Sequence, residues 1–201
     1  PIVASGENAC ILHYTENNKE LKNGDLLLID AGCEINGYAS DITRTFPVNG
    51  RFSDAQREIY DLVLSAQKSA IHSIRPGVSS NRPHEIACQT ITDGLIKLGI
   101  MKSPEDLTKF YMHNTGHWLG LDVHDVGSKL VNEEFREFES GMVTTVEPGI
   151  YIRRDDKINP KYWGIGVRIE DDVLVTKTGN HILSQKAAKE IDEIEQLMSQ
   201  Q

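Results

Sequence analysis

The residues best able to do chemistry in this 201-residue chain are two acids set among apolar residues, Asp30 and Asp41. They belong to Leu26-Leu-Leu-Ile-Asp30-Ala-Gly-Cys-Glu-Ile-Asn-Gly-Tyr-Ala-Ser-Asp41-Ile-Thr-Arg-Thr, in which two β-branched-rich runs flank Glu34-Ile-Asn-Gly37. Asn-Gly between such runs is a strong hairpin signal. Whether the turn centres on Ile35-Asn36 or on Asn36-Gly37, both acids fall on one face, directly opposite or diagonal, roughly 5–8 Å apart. Leu28 shares that face and Ile42 and Phe46 lie nearby, so burial is expected. Two like charges this close in apolar surroundings need a shared proton, arginines or bound cations.

The spacing recurs. From Leu21 to Gly32, an apolar residue precedes Gly24 by three, Asp30 follows it by six, and another Gly comes two residues later. Phe138, Gly141, Glu147 and Gly149 repeat that pattern 117 positions on. A further strand, Gly164–Val175, then carries Glu170, as the second arm of the first repeat carries Asp41. Two strand pairs with two carboxylates each predict a pseudo-two-fold arrangement with four acids converging at its centre.

One histidine is expected to join them. His113, His117 and His124 fall within twelve residues of Tyr111-Met-His113-Asn-Thr-Gly-His117-Trp-Leu-Gly-Leu-Asp-Val-His124-Asp, interleaved with glycines in a way that suits a site wall. The four-residue spacing of His113 and His117 is not the zinc motif His-Glu-x-x-His, because Asn-Thr-Gly stands between them and the motif's Glu is absent. Four carboxylates and an imidazole suit a pair of hard or borderline divalent ions. Ions about 3.5–4 Å apart can acidify a water and polarise a carbonyl or phosphoryl oxygen. With no P-loop and no basic cluster beside the acids, carbonyl chemistry is favoured.

The positioning elements read as follows. Pro1–Ala4 and Ala9–Tyr14 are short apolar runs before a loop, and His13, on an expected strand, reads as structural from its neighbours alone. Ser53, with Gln56 three residues on, opens a helix that stops at Arg75-Pro-Gly77. A second helix runs from Pro83 to Gly99, and a terminal one from Gln185 to Met198. His72 and His84, at helix ends, are given no chemistry. No linker divides the chain, so residues 1–201 read as a single α+β domain.

Bulk composition narrows the classes. Hydrophobic residues make up 39% and charged residues 25%, as in ordinary globular proteins. No apolar run reaches the roughly 18 residues of a membrane span. A net charge of −9 argues against nucleic acid and anionic membranes as partners. Cys10, Cys33 and Cys88 lack ligand-like spacing and read as reduced thiols in a cytoplasmic compartment. The chain opens on Pro1 without an initiator Met and reads as a piece of something longer.

The motifs His117-Trp-Leu-Gly-Leu-Asp-Val-His124-Asp, Thr145-Val-Glu147-Pro-Gly-Ile-Tyr151 and Arg168-Ile-Glu170-Asp, together with Asp30 and Asp41 eleven apart, resemble the creatinase/methionine-aminopeptidase superfamily, and within it the Xaa-Pro aminopeptidases. The resemblance implies a pita-bread fold, two αβ halves about a curved antiparallel sheet, truncated here at its N-terminus by an upstream domain and the first helices. It implies two divalent ions, manganese foremost, with zinc or cobalt as alternatives. Asp30 is then a ligand of one ion, His117 and Glu147 of the other, and Asp41 and Glu170 bridge both. His124, Glu147 and His113 become the catalytic set, with Glu147 handling the water's proton and His124 steadying the scissile carbonyl. His13 and His113 line the pocket for a proline ring, and Tyr151 and Arg168 position the substrate, a peptide with proline second. The full-length protein is expected to form a homo-oligomer. A prolidase, a non-catalytic pita-bread binding module and a metallo-phosphoesterase are the competing readings.

Overall fold

In this computed structural model, which describes residues 1–200, the first half of the chain comprises β1 (Ile2–Ser5), β2 (Leu26–Ala31), β3 (Glu34–Ile35), β4 (Tyr38–Ala39), β5 (Ile42–Pro47) and the helices α1 (Asp54–Ser73) and α2 (Arg82–Lys97). The second half comprises β6 (Leu130–Val131), β7 (Glu134–Phe135), β8 (Val143–Val146), β9 (Gly149–Ile152), β10 (Ile165–Arg168), β11 (Asp171–Val175), β12 (Asn180–Ile182) and α3 (Ile191–Met198).

The first hairpin turns on Asn36-Gly37. Both residues have φ in the left-handed region, +54° and +84°, as a two-residue hairpin turn requires and as Asn-Gly tolerates. Glu34 pairs with Ala39, and the same register runs on into β2–β5, where Asp30 faces Thr43. Asp41 therefore sits diagonal to Asp30, the second of the two expected registers. β1 pairs with the other edge of β2, giving the sheet order β1-β2-β5.

The second hairpin keeps one antiparallel register from Val143 to Ile152 on one arm and from Ile165 to Leu174 on the other, but it is pinched in the middle. The expected single strand Gly164–Val175 is thus two strands, β10 and β11, separated at Ile169-Glu170. Pro148 on the facing arm has no N–H to give the ladder. The N–H of Glu147 donates instead to Thr115 O (2.7 Å), and that of Glu170 to Thr43 O (3.0 Å) on the first hairpin. Register places Glu147 opposite Glu170 and Asp30 opposite Thr43. Glu170 is accordingly the counterpart of Thr43, and Arg168 that of Asp41, so the expected one-to-one matching of acids holds for the first arms only.

Helices cover one side of the sheets. The capping box at α1 is complete: Gln56 N–H donates to Ser53 Oγ (3.3 Å) and Ser53 N–H to Gln56 Oε1 (2.9 Å). Ile59, Tyr60, Val63, Ala66 and Ala70 of α1 form one core with Ala87, Ile91 and Leu95 of α2 and with Ile150, Ile152, Val167 and Val173 of the strands. α3 begins at Ile191, not at Gln185. The carbonyls of Ala187 and Ala188 accept from the Arg44 guanidinium and that of Lys189 from Tyr60 Oη, and a helix would have withdrawn them. His13 lies in a turn beyond a short 3₁₀ segment, Gly6–Cys10, not on a strand. Among the described residues no helix is long and apolar enough to cross a membrane.

Candidate metal centre

Segment Thr115–Leu119 runs antiparallel along the free edge of β8, and this docking delivers the histidine. Thr145 N–H donates to His117 O (2.9 Å) and Leu119 N–H to Val143 O (3.2 Å). Gly116 permits the approach, because a Cβ there would collide with the Thr145 carbonyl. The imidazole is oriented by its neighbour: Nδ1 lies 3.0 Å from Trp118 O. A carbonyl only accepts, so Nδ1 carries the proton there, and Nε2 faces Asp41 Oδ2 (3.5 Å) and Glu147 Oε1 (3.4 Å). Asp41, His117 and Glu170 each present one ligand atom within 4.8 Å of the others.

Asp30 reaches the group through Arg168. Arg168 Nη2 lies 2.6 Å from Asp30 Oδ2, its Nη1 donates to Tyr151 Oη (3.1 Å) and its Nε to Thr43 Oγ1 (3.2 Å). Tyr151 is fully buried and touches the cleft through His113 and Arg168. His113 Nδ1 donates to Asn114 O (2.8 Å), which leaves Nε2 to accept from Tyr151 Oη (2.8 Å). Burial pushes the His113 imidazole down to about 4, holding it neutral. The exposed His124 stacks edge-on against His117 at 4.4 Å. A single cleft is lined by His13, His113, His117 and His124 with Asp30, Asp41, Glu147 and Arg168, so all the expected groups meet there except Glu170 and Tyr151, which are buried.

Electrostatically the cluster is under-compensated. Burial lifts Glu147 to about 7 and Glu170 well above the carboxylate range, the latter with Glu147 and Asp41 adding repulsion. Burial likewise raises Asp30, against the opposing pull of Arg168. Asp41 is held below the usual carboxylate range: burial opposes this, but its contacts with His117 and Asp30 and the nearby charge of Arg168 prevail. Glu170 Oε1 is buried and has no hydrogen-bond partner among the described residues. A buried carboxylate oxygen without a donor, beside three further acids and an imidazole lone pair, fits divalent cations coordinated by oxygen and one nitrogen.

The residues around the acids were less visible in sequence. Thr43 and Thr145 each hydrogen-bond a carboxylate of the cluster, Asp172 Oδ2 accepts from Asp41 N–H (3.2 Å), and Arg44 Nη1 donates to the carbonyls of Thr43 and Glu170. The one signal is the run of three consecutive polar residues, Thr43-Arg44-Thr45, inside an otherwise apolar arm.

The sequence pattern of metallopeptidase family M24 matches residues 1–177. The chain belongs to metallopeptidase family M24. Its helices and antiparallel sheets are those of the M24 pita-bread-type fold. Over 205 residues it is 57% identical to a Xaa-Pro aminopeptidase of Haemophilus influenzae, covering 98% of this chain and 47% of that protein. A solved aminopeptidase PepP of Pseudomonas aeruginosa superposes with a TM-score of 0.96 at 54% identity, over 99% of this chain and 47% of that one. A zinc-substituted Escherichia coli aminopeptidase P in complex with product superposes with a TM-score of 0.94 at 52% identity, over 99% and 47%. The M24 chain described here thus spans about half the length of the curated relatives it matches.

Proposed function

We propose that the protein is a dinuclear metal-dependent aminopeptidase that hydrolyses the bond between an N-terminal residue and a following proline. The convergence of Asp41, Glu147 and the buried Glu170 around His117, in a chain 57% identical to a Xaa-Pro aminopeptidase, carries this reading. We read the two hairpins as pseudo-two-fold halves that each deliver ligands, Asp30 and Asp41 from the first and Glu147 and Glu170 from the second.

Asp30, Asp41, His117, Glu147 and Glu170 would hold the ions, manganese foremost. When bound, two divalent ions supply Lewis acidity for the scissile carbonyl and lower the pKa of the attacking water. Glu147 stands at the cleft to take a proton from that water and to return one to the departing prolyl nitrogen. That nitrogen has no N–H in the intact peptide, so recognition rests on ring shape, with His13 and neutral His113 as pocket walls. Tyr151, held by Arg168, steadies the His113 ring, whose tautomer the Asn114 carbonyl sets. His124, exposed beside His117, orients the carbonyl.

The test is a peptide-hydrolysis assay of the full-length protein loaded with Mn2+, using Xaa-Pro-peptides, Xaa-Pro dipeptides and Xaa-Ala-peptides, beside Asp41→Ala. Cleavage of the Xaa-Pro-peptide alone or foremost, reduced at least about 100-fold in the variant, is expected. Turnover confined to dipeptides would assign a prolidase instead. An Asp41→Ala rate equal to wild type would refute the two-ion reading.

A further inference from the structure

We propose that Thr43 is a positioning residue for the metal centre, one that holds the Glu170 carboxylate at Oε2, fixes the direction in which Oε1 is presented to the cations, and couples it to Asp30 through Arg168. This rests on the metal-centre reading above and goes one layer beyond its ligands.

Hydrogen-bond direction carries the inference. Thr43 is fully buried and stands opposite Asp30 across the β2–β5 ladder. Its hydroxyl has one proton to give. Arg168 Nε, 3.2 Å away, is only a donor, so Thr43 Oγ1 accepts there. The hydroxyl proton is therefore free for Glu170 Oε2, at 2.6 Å, the length of a charge-assisted bond. With Oε2 occupied, Oε1 is the oxygen left without a partner. The same threonine also accepts the Glu170 N–H at its carbonyl (3.0 Å), so Glu170 is held at both backbone and side chain. Because Arg168 Nη2 binds Asp30, a chain Asp30–Arg168–Thr43–Glu170 joins one ligand from each hairpin. Thr145 repeats the device in the second half: its Oγ1 accepts from His117 N–H (3.1 Å) and donates to Glu147 Oε1 (3.2 Å).

A buried β-branched strand residue could also be there for packing alone, and valine would then serve as well. Mn2+ is titrated calorimetrically into the metal-free full-length protein, wild type beside Thr43→Val and Thr43→Ser. Wild type is expected to take two ions. Valine keeps the shape, loses the hydroxyl, and is expected to weaken Mn2+ binding about 10–100-fold, the usual effect of removing a partner that orients a ligand. Serine keeps the hydroxyl and is expected to stay near wild type. Absence of Mn2+ binding by wild type would sink the metal-centre reading itself. Two ions in wild type with valine unchanged, or serine falling as far as valine, would overturn the role given to Thr43. Should the valine variant fail to fold, Thr43→Ala takes its place in the same titration, with the same outcomes.

Discussion

Arg168 and Asp30 form an ion pair, Nη2 to Oδ2 2.6 Å, between a guanidinium that is 4% exposed and a carboxylate that is 22% exposed. A positive charge from the second hairpin thus already compensates one of the acids of the first. Truncating one member of such a pair leaves the other uncompensated. Arg168→Met is expected to cost the metal-free protein about 3 kcal/mol, the lower end of the range for buried pairs because Asp30 keeps some solvent. Urea unfolding measures it. Adding a divalent ion is expected to restore part of the loss, since the ion then stands in as Asp30's counter-charge; no recovery would show that Asp30 does not meet the cations.

A second prediction concerns pH. Glu147 sits at about 7 in the folded chain against 4.5 unfolded, raised chiefly by burial. A carboxyl raised on folding contributes stability that is present below about pH 4.5 and lost as pH rises through 7. Glu170 and Asp30 shift in the same direction. The metal-free protein should therefore lose stability between pH 5 and 8, while the rise in Tm produced by Mn2+ should grow over the same interval because fewer protons must leave. Thermal scans at pH 5, 6.5 and 8 with and without metal decide this, and a Tm gain independent of pH would count against a cation site built on these carboxylates.

Behind the site, Asp171 is fully buried between Arg44 and Lys189, with Gln67 and Ser184 also donating to it. Arg44 additionally ties the carbonyls of Thr43, Glu170, Ala187 and Ala188. Arg44→Met is expected to cost about 3–5 kcal/mol and Lys189→Met less, since Lys189 keeps some solvent. Equal losses in chemical denaturation would show that the carbonyl contacts of Arg44 contribute nothing.

Thiol reactivity gives an independent check on the packing. Cys33 is exposed, Cys88 half-buried and Cys10 buried, with the Cys10 thiol pushed up to about 12 mainly by burial. Since the thiolate is the reactive form, a thiol reagent at pH 8 should modify Cys33 first, Cys88 slowly, and Cys10 only after unfolding. Rapid labelling of Cys10 in the native protein would contradict the placement of the Gly6–Cys10 turn against the strand β10.

Local chemistry made part of this protein legible without coordinates. Asn-Gly marked the hairpin, because residues tolerant of positive φ fit such a turn, and put Asp30 and Asp41 on one face; the structure decided between the two registers and set Asp41 diagonal to Asp30. Ser53 and Gln56 satisfy each other's backbone within four residues, and the repeated Gly-to-acid spacing marked Glu147 as the partner of Asp30. Tertiary structure alone decided what those acids meet. Arg168 reaches Asp30 across 138 positions, Thr43 reaches Glu170 across 127, and Arg44 draws Ala187 out of a helix from 143 away. No pattern of propensity or period encodes such pairings. They follow from burial, which leaves every polar group seeking whichever partner the packed chain brings within reach.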